Sequence, residues 1–309
     1  MIVALAGGVG GAKLADGLAA LLGGALTVIV NTADDFEHLG LPISPDLDTV
    51  MYTLAGIANA ETGWGVAGET WSFLDQVVLL GAPSWFRLGD RDLATHVLRA
   101  AALRSGQNLT AVTAELCRRL GIGARVLPMS DDAVRTIVHS AEGDLPFQEY
   151  FVGRRCEVPV TGFAFAGIEH ARPTDAVRET LQAKELEAIL VCPSNPFVSI
   201  DPILSLPGFR TLIAEAKVSV IAVSPIIAGA AVKGPAAKMM RELGLAVSPF
   251  TVASHYRGVV TDFVMDTADA ALSSAVAGLG MTVHLADILM RDRADRRRLA
   301  EQCLAFARR

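Results

Sequence analysis

The sequence predicts an α/β protein: a doubly wound, Rossmann-like parallel sheet with a mixed helical and strand insertion. Short apolar runs alternate with helical spacing at the start of the chain, and the same alternation returns from about residue 175. Between residues 60 and 175 it lapses, and much of the aromatic content gathers there. On this reading residues 1–309 are a single α/β nucleotide-binding core, and 60–175 are an insertion acting as a lid or substrate module.

The first unit sets the pattern. Ile2 to Ala6 is an apolar run suited to a buried parallel strand, Leu14, Leu18, Leu21 and Leu22 recur at helical spacing, and Leu26 to Val30 is the next strand. A helix capped by an acidic residue follows over Asp48 to Ala58. The insertion reads as a helical stretch around 91–120, then short strands at Ala124–Met129, Val134–His139 and Phe147–Val152. The remainder gives helices near Asp175–Lys184, Pro202–Ala216, 234–243, 266–278 and 292–307. Strands fall at Ala188–Cys192, Val218–Val223, 245–249, 259–264 and 281–285. A sheet wound in this way binds ligands beyond the carboxyl ends of its strands.

With 309 residues and 51% hydrophobic content the chain can bury a large core, yet no uninterrupted run approaches the roughly 20 apolar residues of a membrane span. The first strand starts at residue 2, which leaves no room for a signal peptide. Cys117, Cys156, Cys192 and Cys303 have no metal-type spacing, so a reducing cytoplasm and buried packing are expected. A net charge of −6 argues against a nucleic-acid surface. The C-terminal arginines, Arg291 to Arg309, alternate with Asp292, Asp295 and Glu301 and read as a salt-bridged helix face.

Four loops are expected at the ligand edge: 7–13, 31–48, 193–199 and 224–235. In the first, glycines 7, 8, 10 and 11 let backbone approach a ligand, the following helix directs free N–H groups there, and Lys13 adds a charge. The loop fits neither the dinucleotide fingerprint, because Lys13 stands at its third glycine, nor a P-loop, because Leu14 replaces Ser or Thr. A ligand-free tight turn is the alternative. The second loop concentrates Asp34, Asp35, Asp46 and Asp48, hard oxygen ligands that suit Mg²⁺ beside a phosphate. Asp48 is equally placed as a helix cap, and Asp34 and Asp35 as turn formers. Ser194 and Asn195, between two prolines, suit recognition of a base or ribose, or a turn alone. Lys233 precedes another helix start and is positioned to neutralise a phosphate opposite Lys13, or to be a surface lysine. Residues 85–96 mix flat apolar faces with polar groups, as a site for an aromatic heterocycle would. His96 falls mid-helix, where a satisfied core histidine is the alternative to a catalytic one. No Ser/His/Asp or Cys/His grouping supports a side-chain nucleophile.

Taken together, these motifs resemble the 2-phospho-L-lactate transferase family of coenzyme F(420) biosynthesis. The likeness runs almost end to end. It rests on Gly7 to Lys13, Asn31 to Asp35, Gly40 to Thr49, Trp85 to His96, Leu127 to Asp132, Phe147 to Tyr150, Pro193 to Pro196 and Lys233 to Pro235. It implies Mg²⁺-dependent transfer of a phosphorylated three-carbon acid, of lactate, enolpyruvate or glycerate type, from its guanosine diphosphate conjugate. The acceptor is the terminal ribityl hydroxyl of the deazaflavin Fo, and GMP is released. The resemblance implies Asp48 and Asp35 as catalytic and metal residues. Gly8, Gly10, Gly11, Lys13, Ser194, Asn195, Gly229 and Lys233 are implied for the donor. Asn31, Asp34, Trp85, Phe86, Leu88, Asp90 and His96 are implied for the acceptor, and a homodimer for the assembly. Looser relatives, the gluconeogenesis-factor-like proteins, share the glycine loop and keep a non-catalytic nucleotide- or sugar-nucleotide-binding regulator as the second reading. A dinucleotide-dependent oxidoreductase, from the partial Gly8-Val9-Gly10 fingerprint, is the third.

Overall fold

The computed structural model describes residues 1–308; Arg309 lies outside the described residues. Seven strands build the main sheet: β1 (Ile2–Ala6), β2 (Leu26–Val30), β3 (Arg125–Pro128), β4 (Ala188–Val191), β5 (Ser219–Val223), β6 (Asp262–Asp266) and β7 (Thr282–Ala286). Their order is β7-β6-β5-β4-β1-β2-β3, and every pairing is parallel. The order reverses between β1 and β4, where Ile2 lies opposite Leu26 on one side and Ala188 on the other. That switch point opens the crevice in which doubly wound sheets bind ligands.

The two-residue period of β1 divides the core. Val3 and Leu5 join one buried cluster with Ile29, Ile189 and Val191, whereas Ile2, Ala4 and Ala6 join the other with Val28, Leu190 and Leu18. Helix α1 (Gly8–Leu22) covers the second face and packs on the C-terminal helix Arg293–Ala307. Gly17 makes this approach possible, because a β-carbon there would strike the Arg296 carbonyl. The C-terminal arginines pair as expected: Arg297 with Glu301 at 2.9 Å, Arg298 with Asp295 at 3.1 Å and Arg296 with Asp16 at 2.9 Å. Among the described residues no single helix is long and apolar enough to cross a membrane.

The structure redraws several expected elements. Helix α2 runs Pro45–Leu54 with Ser44 at its N-cap, so Asp48 sits within the first turn and is not the cap. The insertion is interrupted, since β3 leaves it to pair with β2. Its helices are α3 (Ser72–Leu79), α4 (Asp90–Arg104) and α5 (Leu109–Arg119), and its own sheet is antiparallel, made of Gly143–Pro146, Arg135–Ser140 and Val160–Ala166. The expected strand Phe147–Val152 is a π-helical turn over Glu149–Gly153. Phe147 and Phe151 stack there with ring centroids 5.4 Å apart, a distance that an extended backbone would more than double over four residues. No strand forms at 245–249 either. Ser248 caps a helix beginning at Pro249 by accepting the Thr251 N–H, and a proline at the first helical position is pre-set for that geometry.

Candidate functional site

A cavity of about 700 Å³ lies over the switch point, and all four expected loops contribute to its wall. The glycines draw these loops together. A β-carbon on Gly7 would come within 2.6 Å of Asp46 Oδ2 and 2.7 Å of Ser199 Cβ, and one on Gly11 within 2.5 Å of Ser194 Oγ. One on Gly10 would run into the Pro193 carbonyl. Ser194 Oγ in turn accepts the Gly7 N–H and donates to the Gly7 carbonyl. The close approaches that require glycine here are therefore made to protein. Helix α1 has no side-chain cap at its own N-cap residue, Gly7; Asp46 Oδ1 instead accepts the Gly8 N–H at 2.7 Å. The next N–H groups of that first turn, on Val9 and Gly10, belong to residues lining the cavity, and the helix dipole favours an anion there. Lys13 lies beside them and donates to the Met290 carbonyl at 2.9 Å; burial, with Arg296 and Lys233 nearby, lowers its pKa.

The carboxylates of the second loop separate into two environments. Asp46 Oδ2 accepts from Asn31 Nδ2 at 3.0 Å, and burial lifts Asp46 to about 6. Burial and the Asp46 charge hold Asp34 well above the usual carboxylate range. Burial raises Asp35 to about 8, although the Ser44 hydroxyl donates to its Oδ2 at 2.7 Å. Asp34 Oδ1 and Asp35 Oδ1 are buried acceptors with no hydrogen-bond partner among the described residues. Asp48 is different. The Arg99 guanidinium grips it with both terminal nitrogens, Nη1 at 3.1 Å from Oδ2 and Nη2 on Oδ1, and only 1% of Arg99 is exposed. His96 Nδ1 lies 3.2 Å from Arg99 Nη1 and 3.7 Å from Asp48 Oδ2, and its Nε2 lies 3.2 Å from Asp92. Tyr52 completes the network by donating to Asp92 at 2.7 Å.

Aromatic groups from the insertion form the far wall. Trp85, Phe86, Phe147 and Phe151 line the cavity, and Phe36 and His38 support Trp85 and Phe86 from behind with ring centroids 4.8 to 5.9 Å apart.

Of the residues expected at the site, Gly8, Gly10, Lys13, Asp34, Asp48, Trp85, Phe86, His96, Ser194, Asn195 and Lys233 line this cavity. Gly11, Asn31, Asp35, Leu88, Asp90 and Gly229 do not. Gly11 makes room for Ser194, Asn31 bridges Asp46 and the Val198 carbonyl, and Asp35 is turned to Ser44. Leu88 is fully buried in packing. Asp90 accepts from Thr70 Oγ1 and the Ser72 and Phe73 N–H groups, holding α4 to the start of α3. Gly229 occupies a left-handed turn position, φ 75°. Sequence reasoning missed Arg99, whose signal was its place one helical turn after His96 on α4, and Arg155, which carried no local signal.

Mg²⁺ fits this acidic set through Asp34 better than through Asp48, because the unpaired Asp34 Oδ1 belongs to a residue lining the cavity while Asp48 is already gripped by Arg99; Asp35 is turned to Ser44, with the Arg99 and Arg135 charges nearby. Among the described residues no group of three His, Cys, Asp or Glu side chains forms a complete metal cage. Mg²⁺ commonly uses one or two carboxylates and takes its other ligands from phosphate and water.

A family model for "2-phospho-L-lactate transferase CofD" matches residues 2–294. A phosphoenolpyruvate transferase of Streptomyces coelicolor is 41% identical over 313 residues, covering 99% of this chain and 98% of that protein. A 2-phospho-L-lactate transferase of Methanosarcina mazei is 42% identical over 301 residues, covering 97% of this chain and 98% of that protein. A solved structure of a UPF0052 family member from Bacillus halodurans superposes with a TM-score of 0.63 at 14% identity over 98% of each chain, a likeness of fold alone.

Proposed function

The chain belongs to the 2-phospho-L-lactate transferase family, and from that premise we propose that it moves a phosphorylated three-carbon acid from a guanosine diphosphate conjugate to Fo, releasing GMP, in coenzyme F(420) biosynthesis. The observation that carries this reading is the two-ended cavity. A helix start with Lys13 and Lys233 suits a diphosphate, an aromatic wall suits a flat heterocycle, and carboxylates lie on the loop between them.

In the proposed reaction the terminal ribityl hydroxyl oxygen of Fo forms a new bond to the phosphorus that carries the acid. The bridging P–O bond to the guanosine phosphate breaks, and GMP leaves with the electron pair. Asp48, fixed by Arg99, accepts a hydrogen bond from the incoming hydroxyl and orients it. The hydroxyl proton passes along that hydrogen bond to Asp48 and on to solvent. Mg²⁺ held by Asp34 in its ionised form would neutralise diphosphate charge. Positioning and charge stabilisation suffice for such a transfer without a protein nucleophile.

Folded protein incubated with Mg²⁺, Fo and each of the lactate, enolpyruvate and glycerate donors should release GMP and form an Fo phosphodiester with at least one. Absence of product with all three would overturn the reading, and nucleotide binding without Fo binding would favour a regulator. The relatives' names divide between two acids at nearly equal identity, so the three-donor comparison also identifies the acid. A homodimer, as the resemblance implies, is checked by sedimentation.

A further inference from the structure

Four cationic side chains line the cavity, Lys13, Arg87, Arg155 and Lys233, and three are already engaged. Lys13 donates to the Met290 carbonyl and Lys233 to the Thr62 carbonyl at 2.7 Å, while the Arg87 guanidinium lies 4.1 Å over the Trp71 ring. Arg155 has no carboxylate, carbonyl or ring partner for its side chain among the described residues. The adjacent Arg154 is drawn to Glu142 at 3.7 Å and Glu149 at 4.0 Å. Two successive arginines thus divide, one to protein carboxylates and one to the cavity.

The backbone shows how this division is held. Arg155 and Cys156 are consecutive non-glycine residues in the left-handed region, with φ of 51° and 57°. Such a pair persists only where its surroundings fix it. Here the Arg154 N–H donates to the Glu149 carbonyl at 2.7 Å, the Cys156 N–H to the Tyr150 carbonyl at 3.0 Å and the Glu157 N–H to the Arg154 carbonyl at 2.9 Å. Just before them Gly153 passes against Trp85, where a β-carbon would sit 3.7 Å from the indole. Arg155, itself exposed, therefore lines the cavity from the aromatic side, on a different element from Lys13 and Lys233.

We propose that Arg155 recognises the free carboxylate of the three-carbon acid on the donor, an inference that rests on the transferase reading. The acid is carried on the phosphorus that passes to the acceptor, so its carboxylate belongs where the anion-binding and aromatic ends meet. A guanidinium presents paired donors that match a carboxylate, whereas a lysine ammonium suits a phosphate as a point charge. No bond to the carboxylate forms or breaks, so Arg155 is a specificity residue. Because all three candidate acids carry a carboxylate, it separates acids from neutral analogues and does not choose among the three.

The test uses the full chain, the donor acid that the wild type turns over best, and the carboxamide of that donor. Wild-type kcat/KM should favour the acid by about 10- to 100-fold, the range of a hydrogen bond to a charged group. In Arg155→Met that preference should collapse, through loss of the acid's rate with the carboxamide's nearly unchanged, and Arg155→Lys should recover only part. Calorimetric affinities for GDP and Fo should stay within about twofold of wild type. Retained preference in Arg155→Met, or loss of Fo or GDP affinity in its place, would overturn the role of Arg155 and leave the transferase reading standing. Absence of wild-type turnover with every acid donor would overturn both.

Discussion

Asp34, on the loop after β2, and Asp48, in the first turn of α2, reach one cavity, but their surroundings oppose each other. Asp48 meets a buried guanidinium with His96 and Asp92 arranged behind it; Asp34 meets Asp46 and Asp35 and leaves an oxygen unpaired. Removing a buried carboxylate from water is costly unless a counter-charge or hydrogen bonds compensate. At Asp48 the chain supplies that counter-charge, which fixes an orientation permanently. At Asp34 it does not, and burial with the Asp46 charge favours the protonated form.

Breaking the balanced side should have the largest effect. Arg99→Met strands the Asp48 carboxylate, and loss of one partner of a buried pair typically costs about 3–5 kcal/mol. Urea unfolding should show a loss of that size, with Asp48→Asn in the same background restoring part of it. A loss below about 1 kcal/mol would mean that Asp48 does not depend on Arg99 for its charge. The unbalanced side is probed by Mg²⁺. Wild type should gain about 2.7 kcal/mol at a hundredfold excess over Kd, Asp34→Asn should lose that gain, and Asp48→Asn should keep it. The reverse pattern would return the metal to Asp48, where the sequence first suggested it.

Gly7 links the two sides through Asp46. Its φ of −156° suits any residue, so Gly7→Ala acts through space alone, pressing on Asp46 and Ser199. Overpacking of this kind costs about 1–3 kcal/mol, and displacement of Asp46 should weaken donor binding alongside stability. Unchanged GDP affinity in calorimetry would separate the helix cap from the anion site.

How much of this was readable beforehand depended on sequence distance. The crevice was legible because β1, the glycine loop and α1 are contiguous, and because apolar strands ending in Pro193-Ser194-Asn195 and in Ser224-Pro225 mark the neighbouring strand ends. Asp34, Asp46 and Lys13 followed from those loops. Whether a carboxylate is paired was not legible, since Arg99 lies 51 residues from Asp48 and nothing local joins them. Leu88 and Asp90 misled for a related reason. Within a motif that faces a ligand, alternate residues turn to the core or bind neighbouring backbone, and only the fold of the insertion decides which.

The smallest expected effect, per unit of pH, tests whether the unpaired cluster holds protons when no metal is present. Asp35 has a folded pKa of about 8, against roughly 3.9 for an unfolded aspartate. Between those values the native state retains a proton that the unfolded state has released. Its stabilising contribution is complete below the unfolded pKa and is lost progressively as pH rises toward 8, by up to about 1.4 kcal/mol per pH unit. Urea unfolding in chelator at pH 5, 6 and 7 should therefore show stability falling with pH. Asp35→Asn, which keeps an acceptor for the Ser44 hydroxyl at nearly constant size, should reduce the slope, and Asp34 and Asp46, raised by the same burial, should supply what remains. Saturating Mg²⁺ should flatten the wild-type slope, because a cation favours the carboxylate form. If Asp35→Asn left the chelated slope unchanged, Asp35 would be ionised in the folded protein, its charge compensated by the nearby Arg99 and Arg135.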